Sequence, residues 1–137
     1  MILVDTPVWS LTLRRKPQNL APEEHRTTQL LYQIVSEGRA QLLGSVRQEL
    51  LSGLREEPQF RRLRDYLRDF PDAPVATADY EEAARASNLC RRSGIATSPV
   101  DMLMCAVAIH RKWEIFTTDG DFVRYAAVLK IRLLTPA

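Results

Sequence analysis

The 137-residue chain has no CxxC pair, no GxxxxGK[ST] phosphate loop, no internal repeat and no apolar run long enough to cross a bilayer. Its two cysteines, Cys90 and Cys105, sit in apolar stretches without a neighbouring histidine. This argues against a thiolate metal site and predicts buried, reduced thiols, as in the cytoplasm. The longest apolar run, residues 102–109, falls far short of the roughly 20 residues that span a membrane, and residues 1–4 are too short for a secretory signal. No membrane span and no export signal are therefore expected. No Ser or Cys stands with a paired His as an activated nucleophile, and the two histidines, His25 and His110, read as surface or helix-end residues rather than general bases. Charge of either sign is not in excess: 19 basic residues face 17 acidic ones, net +2, so any nucleic-acid role must rest on local segregation. The length fits one domain over residues 1–137, burying about two-thirds of its unfolded surface.

What is present is an alternation of short apolar segments with helical ones. The opening run MILV reads as a fully buried strand ended by Asp5, since four apolar residues before a turn signal leave no polar face. Thr6 is expected to cap a short helix with Pro7 at its first position. A helix over 22–37, carrying Leu30, Leu31, Ile34 and Val35, is stopped by Gly38. A strand at 40–43 follows, and Ser45 with Gln48 forms a capping-box pattern opening a helix that carries Glu49. Pro58 introduces a helix over 59–69, and 74–76 reads as a weak third strand. Helices are expected over 79–93, stopped by Gly94, and over 99–111, apolar on nearly every side. A strand at 114–117, a helix at 119–129 and a strand at 131–134 complete an α/β pattern with a mostly parallel, covered sheet.

Ligands in such sheets gather outside the carboxyl ends of the strands, so acids there are the positions to weigh. Asp5 follows the first strand, Glu49 lies early in the helix after the second, Asp101 opens the buried helix, and Asp119 and Asp121 follow the fourth strand. Each acid has an ordinary reading as a cap or turn residue. That reading is strongest for Asp101, because "SPVD" makes Ser98 a cap, and weakest for Glu49, because Gln48 already holds the capping-box position. Together they change the argument. Several carboxylates at one partly buried rim stay ionised only if a cation or other donors compensate them. All the donors are oxygens, which favours Mg²⁺ or Mn²⁺ over Zn²⁺ and, chemically, water-mediated attack on a phosphodiester.

The segments "ILVDTPVW", "SVRQELLSGL", "SPVDMLMCAVAIHRK" and "IFTTDGDF" resemble those of the PIN-domain ribonucleases, and most closely the VapC-type toxins of bacterial and archaeal toxin–antitoxin pairs. The resemblance implies a three-layer α/β/α domain with a five-stranded sheet in the order 3-2-1-4-5 and a Mg²⁺- or Mn²⁺-dependent endoribonuclease site. It implies Asp5, Glu49, Asp101 and Asp119 as the catalytic, metal-binding acids, with Asp121 an auxiliary ligand and Thr117 or Thr118 able to hydrogen-bond there. It further implies an RNA substrate, a cognate antitoxin laid over the site, and homodimers or larger toxin–antitoxin assemblies. Pro7 departs from the family, which often has a small polar residue at that position.

For RNA phosphates the favoured cations are Arg14, Arg15 and Lys16, whereas Arg61, Arg62, Arg64 and Arg68 read as a solvated face laced with Asp65 and Asp69. Trp9, Tyr32 and Trp113 read as core or contact aromatics rather than base-stacking platforms. Three other classes compete. A phospho-receiver domain needs its phosphorylated Asp at the middle strand and a Lys late in the sheet, and this chain offers no persuasive match. A HAD-type phosphatase needs a second Asp two residues after the first, where this chain has Pro7. A non-catalytic module would use the same acids to hold a basic peptide or RNA without cutting.

Overall fold

In the computed structural model, residues 1–136 are described, and the opening run is buried for the reason its composition suggests. Ile2–Val4 (β1) is an inner strand. It pairs in parallel with Ala40–Gln41 (β2) on one side and with Glu114–Phe116 (β3) on the other. Leu133–Leu134 (β4) pairs in parallel with β3, so the order is β2-β1-β3-β4. With strands neighboured on both edges and covered on both faces, Ile2, Leu3, Val4, Ile115 and Phe116 are all at most 1% exposed.

Four members of the expected 3-2-1-4-5 order are present, and the sheet has four strands rather than five among the described residues. The third strand expected at 74–76 does not form. In its place is a single parallel bridge between Leu42 and Asp72, closed by the Ala73 amide on the Leu42 carbonyl at 2.8 Å. Pro74 has no amide hydrogen to continue that ladder. Arg47 also pins Asp72 at 2.7 Å and donates to the carbonyls of Leu67 and Phe70, so this edge is held by a side chain instead of a strand.

The helices are Thr6–Arg14 (α1), Pro22–Ser36 (α2), Gly44–Ser52 (α3), Glu57–Leu67 (α4), Thr77–Arg92 (α5), Pro99–Arg111 (α6) and Asp121–Ala126 (α7). They flank the sheet, α1 packing on α2 and α3, and α5 packing on α6. Gly38 and Gly94 stop α2 and α5 at φ of +68° and +75°, a conformation that favours glycine.

Two expected caps are corrected. Asp5, not Thr6, caps α1: its backbone is extended and its Oδ1 accepts the Thr6 amide at 2.8 Å. Ser45 is not a cap, because α3 starts one residue earlier, at Gly44, with buried Leu43 in the cap position. The burial of Leu42 and Leu43 draws the turn toward the core and leaves Ser45 inside the helix. The last helix is also shorter than expected, since residues 119 and 120 form the turn leading into α7.

Residues 102–108 of α6 are all buried, as their uninterrupted apolar character requires. Both cysteines are free and buried. Trp9 fills the space beneath β1, its indole N–H donating to the Val4 carbonyl at 3.2 Å, so even this large ring leaves no polar atom unpaired. No helix among the described residues is long and apolar enough to cross a membrane.

Candidate metal centre

The parallel pairing of β1 and β3 puts Val4 opposite Phe116, so the next residue of each strand, Asp5 and Thr117, meet at the carboxyl edge of the sheet. The Asp5 amide donates to the Phe116 carbonyl at 2.9 Å, and the Thr117 hydroxyl donates to Asp5 Oδ2 at 2.7 Å. The chain then turns tightly. The Asp119 amide donates to Thr117 Oγ1 at 3.0 Å, and the Asp121 amide to Asp119 Oδ1 at 2.9 Å. Asp101 arrives from the first turn of α6, where the Ser98 hydroxyl accepts its amide at 3.2 Å as the capping pattern predicts. One carboxylate oxygen each from Asp101, Asp119 and Asp121 lies within 4.8 Å of the others.

Apart from a long, exposed ion pair between Arg124 and Asp121 at 3.7 Å, these acids meet no cationic side chain among the described residues. Burial pushes the Asp5 carboxyl up to about 6, and the charges of Asp101 and Asp119 add to it, against the lowering effect of the Thr117 and Thr6 hydrogen bonds. Asp101 is raised by burial and by Asp119 and Asp121, against the lowering effect of the Tyr125 hydrogen bond and of the Ser98 side chain beside it. Burial and the same three acids push the Tyr125 phenol up, so it remains a proton donor. Behind them, burial and the nearby acids raise the Cys105 thiol, which removes it as a ligand. Three oxygen donors from two segments, with no nitrogen or thiolate among them, fit a hard dication such as Mg²⁺ or Mn²⁺.

Of the acids expected at the site, Asp101, Asp119 and Asp121 form one group. Asp5 stands outside that group but adjoins it through Thr117 and through its field. Glu49 is exposed on α3 and accepts a hydrogen bond from the Thr6 hydroxyl at 2.5 Å, one residue beyond Asp5. Two partners were not anticipated. Tyr125 donates to Asp101 Oδ2 at 2.8 Å, and Thr6 holds Glu49. A signal for Tyr125 was its place one turn after Asp121, which carries its hydroxyl back toward the acids.

Thr118, Arg14 and Arg15 line one groove of about 630 Å³, together with Pro7, Ser10 and Thr27. Both arginines have partners within the fold. Arg14 donates to the Leu50 carbonyl and packs under Gly53, and Arg15 pairs with Glu24 at 2.7 Å. Lys16 is exposed beyond α1. Of the arginines expected on a paired face, Arg61 meets Glu57, and Arg64 and the capping Arg68 meet Asp65, while Arg62 has no ion pair among the described residues and Asp69 is not a partner. Trp9 is core and Tyr32 is exposed. Trp113 carries Arg111 over its ring.

A parallel α/β domain that gathers acids from three segments at the carboxyl edge of its sheet defines the class of protein. The PIN domain family model matches residues 2–128, and the chain belongs to that family. It is similar in fold to several solved structures. FitAcB from Neisseria gonorrhoeae matches with a TM-score of 0.77 at 22% identity, over 99% of this chain and 98% of that one. VapBC2 from Rickettsia felis, bound to a DNA fragment from its promoter, matches with a TM-score of 0.71 at 15% identity, over 98% of each chain. VapBC-5 from Mycobacterium tuberculosis, a member of the VapBC family of toxin–antitoxin systems, matches with a TM-score of 0.66 at 18% identity, over 97% of this chain and 96% of that one. No curated protein matches the chain in sequence.

Proposed function

We propose that the chain is a Mg²⁺- or Mn²⁺-dependent endoribonuclease and the toxin of a toxin–antitoxin pair. The observation that carries this reading is the convergence, in a PIN domain, of Asp101, Asp119 and Asp121 oxygens within 4.8 Å, with Asp5 beside them. When bound, a divalent ion supplies an activated water and neutralises charge on a phosphodiester during in-line displacement. Asp101, Asp119 and Asp121 would hold that ion, and Asp5 would add negative charge to the centre. Thr117 orients Asp5, and Thr6 keeps Glu49 at the rim on the α3 side. RNA phosphates would enter along the groove of Thr118, Arg14 and Arg15, past exposed Lys16. The similarity in fold to VapBC-5, a member of a family of toxin–antitoxin systems, supports an antitoxin partner and assembly with it.

The test is to incubate the full chain, freed of any partner, with structured RNAs and Mg²⁺. Cutting abolished by EDTA is expected. A non-catalytic module that binds an antitoxin peptide is favoured by one observation, the commitment of Arg14 and Arg15 to Leu50 and Glu24. Persistent inactivity of a folded chain that still binds a basic peptide would select it.

A further inference from the structure

We propose that Tyr125 is a positioning residue that makes Asp101 a one-oxygen ligand, and so biases the acidic centre toward a small six-coordinate dication and against calcium. The inference rests on the metal-centre reading above. Tyr125 is 2% exposed, and its ring packs edge-on against Phe122 at 5.1 Å. Held in this way, its hydroxyl donates to Asp101 Oδ2 at 2.8 Å, and among the described residues no hydrogen bond reaches Asp101 Oδ1. Asp119 repeats the pattern, its Oδ1 accepting the Asp121 amide. Each carboxylate is thus left with one oxygen free of protein donors.

The consequence is chemical. Calcium takes six to eight oxygens and often both oxygens of a single carboxylate, whereas Mg²⁺ demands near-octahedral geometry at shorter range. A carboxylate whose second oxygen is held by a rigid donor suits the smaller ion. Such outer partners also orient the ligand, and their loss typically weakens metal binding 10–100-fold. Tyr125 reaches Asp101 from α7, the helix that begins at Asp121, so one element supplies a ligand candidate and also steers the one on α6.

Titration calorimetry of Mn²⁺ and of Ca²⁺ into the metal-free full chain tests this, comparing wild type with Tyr125→Phe. The expected result is a loss of Mn²⁺ affinity of about 10–100-fold with a smaller loss for Ca²⁺, so that the preference for Mn²⁺ drops by the ratio of the two losses. An unchanged preference overturns the inference. Asp101→Asn in the same titration separates the two readings. If that variant binds Mn²⁺ as wild type does, the centre itself is misplaced and both readings fall. If it loses Mn²⁺ while Tyr125→Phe keeps the wild-type preference, only the role of Tyr125 falls. Should Tyr125→Phe not fold, the wild type decides. Its infrared carboxylate bands on Mn²⁺ binding, with Asp101→Asn as control, must show the wide splitting of a one-oxygen ligand, and the narrow splitting of a chelating carboxylate overturns the inference.

Discussion

The two ends of α6 treat a buried carboxylate in opposite ways. At its C-terminal end, Asp79 of α5 is 4% exposed and fully answered. Its Oδ2 accepts the Ala76 amide at 2.8 Å and its Oδ1 meets His110 Nδ1 at 2.6 Å, with Arg111 near. Burial works against its charged form, yet these partners outweigh burial and hold the carboxyl below its ordinary value. At the N-terminal end, Asp5 is 6% exposed and has two donors of its own, but its charged neighbours are Asp101 and Asp119, and it is raised to about 6. Both side chains are almost wholly covered, but at Asp5 burial outweighs the Thr117 and Thr6 hydrogen bonds and the neighbouring acids add to it, whereas at Asp79 the Ala76 amide, His110 and Arg111 outweigh burial.

The largest effect expected from breaking this contrast is on activity. On the proposed function, Asp101→Asn should lower Mg²⁺-dependent RNA cutting by more than the roughly 100-fold typical of losing an outer partner of a metal ligand, because it would remove a ligand itself. Gel-based cleavage assays on the partner-free chain measure it, and wild-type cutting by this variant would show that Asp101 is not a ligand.

The next effect is on the pH dependence of stability without metal. Asp5 has an ordinary value of 3.8 and a folded value near 6, so its contribution is fully present below about pH 4 and is lost as pH rises through 6. The metal-free protein should therefore gain about 2–3 kcal/mol from this group on acidification from pH 7 to 4, at roughly 1.4 kcal/mol per pKa unit. Asp5→Asn should flatten that limb of a urea-unfolding profile, and Mn²⁺ should reverse its slope. Asp79 acts in the other window. Its folded value is depressed, so its contribution is present above pH 3.8 and is lost as pH falls through the folded value.

The smallest effect sharpens the comparison at the far end of the helix. Asp79→Ala leaves the Ala76 amide and His110 without their partner and should cost about 1–3 kcal/mol in urea unfolding. Metal-dependent cutting should be unchanged, because Asp79 and His110 sit at the end of α6 away from Asp101. A matching loss of Mn²⁺ affinity would show the two ends to be coupled.

Much of the site was legible because its acids follow local rules. Asp101 could be placed in a first helical turn from Ser98 and Pro99, and Asp5 at a strand end from the apolar run before it. The missing fifth strand and the displaced cap at Ser45 were not legible. Both turn on how Leu42 and Leu43 are drawn into the core and on Arg47 reaching Asp72, contacts that no local pattern encodes. The hydrogen bond from Tyr125 to Asp101 spans 24 residues, and the pairing of Arg14 with the Leu50 carbonyl spans 36. Periodicity reports the face a residue occupies, not the atom it meets.

The amino-acid sequence alone determined the alternation of elements, the burial of the 102–108 run and the carriage of acids to strand ends, because apolar spacing and capping act over a few residues. Only the tertiary structure decided that Asp101, Asp119 and Asp121 come together, that Asp5 adjoins them through Thr117, and that Glu49 is held by Thr6 next to Asp5. The register of β1 on β3 and the entry of α7 bring those atoms together, and such long-range packing is set by the whole core at once.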